Sequence, residues 1–105
     1  MTRPLFKMEQ GTLMRLNNGY DCDQNEYISF SDYLLDCWNG CAVMNPSQCR
    51  TVFERDLLEM IEEDIKPLPR ELRIFCADVI ERFVLQLQSE FSKVPQRVKD
   101  LLKNL

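Results

Sequence analysis

From Pro69 to Phe91 apolar residues recur at steps of three and four. Leu72, Phe75, Cys76, Val79, Ile80, Phe83, Val84, Leu87 and Phe91 share one face of a helix. Ile74 and Leu85 fall nearly opposite that face. A helix that is apolar on more than one side is packed by several neighbours, so the stretch is expected to be the spine of the fold. It has 105 residues to organise, which suits one domain around one core.

Upstream, Lys66-Pro67-Leu68-Pro69 ends a preceding helix, because neither proline donates a backbone hydrogen bond and each disfavours helix in the residue before it. That preceding helix is expected over 46–65. Asn45 serves as its N-cap and Pro46 as its first residue. Cys49, Val52, Phe53, Leu57, Met60, Ile61 and Ile65 form its apolar face. Another helix is expected to begin at Phe30 or Ser31, since Ser29 and Asp32 have the spacing of a capping box, and to stop near Val43. Past Pro95, residues Val98, Leu101, Leu102 and Leu105 outline a short amphipathic tail helix.

The first sixteen residues read two ways. Leu5, Met8, Leu13 and Leu16 can share a helical face, although Gly11 and Thr12 weaken it, and Thr12–Leu16 also suits a short strand. Asn17-Asn18-Gly19 is a stop signal, as a helix C-cap or a turn. The fold class expected from these segments is all-α, a single-domain bundle of four to five helices over residues 1–105. The alternative is α+β with a short N-terminal hairpin.

Charge narrows the function. Seventeen acids against thirteen bases give a formal net charge of -4. This disfavours nucleic acid, which needs a basic footprint, and suits a protein partner with a basic surface. The opening MTRPLFKMEQG lacks the apolar core of a signal peptide, and no run of about 18 apolar residues spans a membrane. The five cysteines are an odd number, so reduced thiols in the cytoplasm are the simplest expectation. The chain has no histidine. The commonest general base and the commonest metal ligand are thus missing, and no enzyme is expected; one built on carboxylates is the weakest of the options.

Four features could carry chemistry. Asp21-Cys22-Asp23-Gln24-Asn25-Glu26-Tyr27-Ile28-Ser29-Phe30-Ser31-Asp32 resembles the calcium loop of an EF-hand. That resemblance implies oxygen ligands from Asp21, Asp23, Asn25, the Tyr27 carbonyl, Ser29 and Asp32, since a hard cation takes six to eight oxygens. Glu26 stands where the family has glycine, and Asp32 where it has glutamate. The same residues also read as an Asp/Asn-rich turn leading into a capped helix, which would need no cofactor. The second feature is the set Cys22, Cys37, Cys41 and Cys49. Their spacing is not that of a zinc ribbon, and Cys37 and Cys41 are i,i+4 on a helix, as buried core thiols would be.

Third, Asp56, Glu59, Glu62 and Glu63 cluster beside the apolar face of the 46–65 helix, and Asp64 extends the run. The spacing is that of a solvated helix face, but like charges so placed cost a helix some stability, as a patch kept for a partner would. Fourth, Trp38, Leu58, Ile74 and Leu85 are expected off the main stripes of their helices; either further helices cover them as core residues, or they form a patch for a partner or a homodimer. The combined expectation is a small acidic intracellular protein-binding module such as an inhibitor, immunity or adaptor protein. Its contact residues would be Asp56, Glu59, Glu62, Glu63, Trp38, Ile74 and Leu85. The alternative is a calcium-binding module using Asp21, Asp23, Asn25 and Asp32.

Overall fold

A computed structural model describes residues 4–18 and 25–87, with Asp100 and Lys103. The fold is α+β, not a bundle of four to five helices. A three-stranded antiparallel sheet of order β1-β2-β3 is built from Phe6–Glu9, Thr12–Asn18 and Asn25–Ser29. Three helices follow: α1 (Phe30–Met44), α2 (Cys49–Met60) and α3 (Arg70–Gln86). A single π-helical turn, Ile61–Ile65, continues α2. The tail expected past Pro95 and the stretch from Gln88 to Phe91 lie outside the described residues, apart from Asp100 and Lys103.

The hairpin replaces the helix expected over the first sixteen residues. Gln10 and Gly11 both take positive φ, 52° and 80°, which is what a two-residue turn between right-twisted strands requires. Glycine takes such a φ freely; Gln10 does not. Glu9 then pairs with Thr12, Met8 with Leu13 and Phe6 with Arg15. Leu13 and Phe6 are buried, whereas Met8 remains 38% exposed. The odd steps from Leu5 to Met8 and from Leu13 to Leu16 do not keep one face of a strand, and the turn geometry at Gln10 and Gly11 decides for strands.

The β3 strand runs directly into α1. Ser29 ends the strand and caps the helix: its Oγ accepts from the Asp32 backbone N–H at 3.2 Å. Helix α1 buries Phe30, Leu34, Trp38 and Cys41 along one side and touches α2, α3, β2 and β3. It is α1, and not the 69–91 stretch, that sits at the centre. Trp38, a candidate contact residue, is 9% exposed and meets Phe53 edge-on, with ring centroids 5.2 Å apart. Phe53 in turn packs against Phe83 of α3. At the sheet end, Phe6 meets Phe30 edge-on at 5.1 Å. One apolar cluster thus runs from the hairpin through α1 to α2 and α3.

Asn45 does not start α2. It closes α1, its N–H bonding the Cys41 carbonyl at 2.8 Å. Pro46 to Gln48 form a turn, and α2 begins at Cys49. The π turn is marked by the bond from the Lys66 N–H to the Ile61 carbonyl, 3.0 Å, five residues back. Both Ile61 and Ile65 are fully inside. Pro67 and Pro69 then break the chain, and Pro69 leads into α3. That helix buries Cys76, Ile80, Phe83 and Val84. Phe75, expected on its inner face, is instead 46% exposed, beside Ile74 at 56% and Leu85 at 44%.

Candidate acidic groove

The acids of α2 and the π turn meet α1 along an open groove of about 230 Å³. Tyr33 and Cys37 come from α1, one helical turn apart. Asp56, Glu59 and Met60 come from α2, and Glu63 and Asp64 from the π turn. Four carboxylates therefore border a floor made of a phenol, a thiol and a methionine. A concave site lined by charge of one sign concentrates its field and draws counter-charged groups.

The floor is held in its neutral form. Burial, ahead of the neighbouring Cys41 thiol and Asp56 carboxylate, pushes the Cys37 thiol up to about 11. Burial also raises Tyr33, against the opposing influence of the Arg15 guanidinium. Both stay protonated near pH 7, so the floor offers hydrogen-bond donors and acceptors without charge. Cys41 lies behind it and donates to Asp56 Oδ2 at 3.6 Å. Its thiol is raised as well, by burial first and by Asp56 next.

One end of the groove is anchored from the sheet. Arg15 lies opposite Phe6 in the hairpin register, and only 6% of it is exposed. Its guanidinium stacks over the Tyr33 ring at 4.4 Å and lies 5.4 Å from the Phe6 ring centre. It donates through Nη1 to the Leu16 carbonyl, and Nη2 is 3.6 Å from Asp64 Oδ2. Its Nε has no hydrogen-bond partner among the described residues. Asp64 is thus a tethered carboxylate, whereas Glu59 and Glu63 are exposed at the rim. Glu62 is not part of the lining; Lys66 holds it at 2.9 and 3.0 Å.

The proposed contact residues therefore separate. Asp56, Glu59 and Glu63 come together in the groove; Glu62 lies apart with Lys66. Trp38 is inside the core, because its step of four from Leu34 and three to Cys41 places it on the buried side of α1. Ile74 and Leu85 are exposed on α3. Sequence reasoning missed Tyr33 and Arg15 and took Cys37 as one of a set of thiols, not as a partner of Tyr33. Tyr33 and Cys37 carried a signal in their i,i+4 spacing. Arg15 carried one as a lone charge between Leu13 and Leu16, both of which are buried.

Of the calcium-loop positions, Asp21 and Asp23 lie outside the described residues. Asn25 begins β3, and Ser29 ends it. At roughly 3.3 Å per residue a strand of this length sets their Cα atoms about 13 Å apart. The Ser29 hydroxyl is engaged in the helix cap, and Asp32 is exposed in the first turn of α1. Among the described residues no group of three or more acids or thiols is placed to hold a metal ion. Cys37, Cys41, Cys49 and Cys76 are free thiols. Also among the described residues, no helix is long and apolar enough to cross a membrane. The chain matches no family model, no curated protein and no solved structure.

Proposed function

We propose that this chain is a small protein-binding module of the reducing cytoplasm, an inhibitor, immunity or adaptor protein, whose acidic groove receives a basic side chain or segment of a partner. The observation that carries this reading is the convergence of Asp56, Glu59, Glu63 and Asp64 around the neutral Tyr33–Cys37 floor. Carboxylates 59 and 63 are i,i+4 on one edge, a spacing that costs the helix stability in isolation and that a bound cation would offset. A guanidinium suits the site best. It is planar, can be held by two carboxylates at once and can stack on the Tyr33 ring from the solvent side, as Arg15 does from within.

An arginine-rich peptide titrated into the labelled protein tests the reading by NMR. Chemical-shift changes are expected at Tyr33, Cys37, Asp56, Glu59, Glu63 and Asp64. The variant Glu59→Lys/Glu63→Lys should lose them at full helical content, because both side chains are exposed. Shifts scattered evenly over all the acidic surface, or undiminished in the variant, would sink the groove as the site. The same variant should fail to retain whatever basic protein the parent chain captures.

A further inference from the structure

The outward face of α3 carries a pattern that is complementary to itself. Phe75, Asp78, Arg82 and Leu85 lie on it at spacings of three, four and three, placed symmetrically about Ile80. All four are exposed. Asp78 and Arg82 form an i,i+4 ion pair at 3.2 Å. A second copy of α3, laid antiparallel across the first with the two-fold axis at Ile80, sets each Asp78 opposite the other copy's Arg82. It also brings each Phe75 level with the other copy's Leu85. A parallel arrangement would instead set Asp78 against Asp78.

The flanks agree as well. At about 100° per residue, Ile74 and Leu85 lie on one flank of this face and Phe75 on the other, with Asp78 and Arg82 between. Beside Phe75's flank, toward the C-terminal end of α3, is a groove of about 240 Å³ lined by Ser31, Val79, Arg82, Phe83 and Gln86. A two-fold axis keeps each flank on its own side. Ile74 of one copy therefore meets Leu85 of the other, and Phe75 of one reaches the groove of the other. We propose that α3 is a homodimer interface in which two copies of this chain pair antiparallel, Phe75 filling that groove and Asp78 facing Arg82 across the axis. The surface is distinct from the acidic groove and does not depend on it. An interface of one helix against one helix is small, so the dimer is weak and forms at high concentration.

Sedimentation velocity of the full chain from about 10 to 500 μM, a range suited to a small interface, is the test. A concentration-dependent shift from monomer to dimer is expected. Phe75→Ala should weaken association by tenfold or more. Asp78→Arg and Arg82→Asp should each abolish it alone, by placing like charges across the axis. Mixing the two reversals in equal amounts should restore a dimer, since one copy then brings two bases and the other two acids. A chain that stays monomeric throughout overturns the proposal. So does a mixture that associates no better than either reversal alone. Circular dichroism of each variant keeps a folding defect from passing as lost association, and all three positions are on the surface.

Discussion

Helices α1 and α3 are similar in length, 15 and 17 residues, and both carry an apolar stripe. Their surroundings differ. Around α1 stand the sheet, α2 and α3, and even its tryptophan is enclosed. Among the described residues, helix α3 is packed on one side only and leaves Ile74, Phe75 and Leu85 in the open. The comparison shows that an apolar stripe alone does not say which helix is central. The position of α1, entered straight from β3 and followed by α2, sets the sheet, α2 and α3 along its inner side, while Leu35, Val43 and Met44 face outward. The longer apolar helix, arriving last, covers one face of what is already there.

The largest expected effect lies where the two helices share a neighbour. Phe53 is 1% exposed and sits between Trp38 of α1 and Phe83 of α3. Phe53→Ala should destabilise the fold by about 3–5 kcal/mol, read by urea unfolding with Trp38 fluorescence. A loss below about 1 kcal/mol would mean that the core can collapse around the gap, and the contrast between the helices would lose its basis.

Thiols on the inner sides of both helices set the next effect. Cys37 on α1 is pushed up to about 11, and Cys76 on α3, buried first of all, to about 12. The folded state thus holds protons that the unfolded chain releases above the ordinary value of 9.0. That contribution is intact below pH 9 and is lost as pH rises through the folded values. Melting temperature should fall steadily above pH 9, and less steeply in Cys76→Ala. Equal slopes for parent and variant would show that the Cys76 site is wetter than its burial indicates.

A third test addresses the tether between the sheet and the π turn. Arg15 is buried while Asp64 is partly exposed, with side-chain exposures of 7% and 29%. Removing the acid strands a buried cation; removing the cation leaves an acid that water can reach. Asp64→Asn should therefore cost about 2 kcal/mol, and Arg15→Met clearly less. The reverse order would place the desolvation burden on Asp64. At the smallest end, Ile74→Ser and Leu85→Ser should change the stability of the dilute monomer by no more than about 0.5 kcal/mol. A larger loss from either would show that the outer face of α3 is covered within the monomer.

Much of the helical half was legible. The Ser29/Asp32 spacing marked the start of α1, and Pro67 and Pro69 separated the last two helices where the structure separates them. The sheet was harder. Gln10-Gly11 lacks the asparagine or aspartate that usually announces a two-residue hairpin turn, and Leu5, Met8, Leu13 and Leu16 imitate a helical face. Asn45-Pro46 carried a sound start signal, yet tertiary packing delayed α2 to Cys49 and used Asn45 to close α1. The π turn left no local mark: Ile61 and Ile65, both fully buried, are i,i+4 and would share a face in an ordinary α-helix as well. The acids of the groove were visible as a run. That they face Tyr33 and Cys37 depends on how α1 and α2 pack, which no single helix encodes.

The Arg15–Asp64 pair also has a consequence for the order of events in folding. The hairpin closes through neighbours in the chain, an event of microseconds. Arg15 finds its carboxylate only after a loop on the order of fifty residues has closed, and such distant contacts come late. Asp64→Asn is accordingly expected to speed unfolding in stopped-flow measurements while leaving the folding rate nearly unchanged. A slowed folding limb would place this contact in the nucleus instead. If the pair is late, the acidic groove is among the last parts of the molecule to take shape and among the first to open.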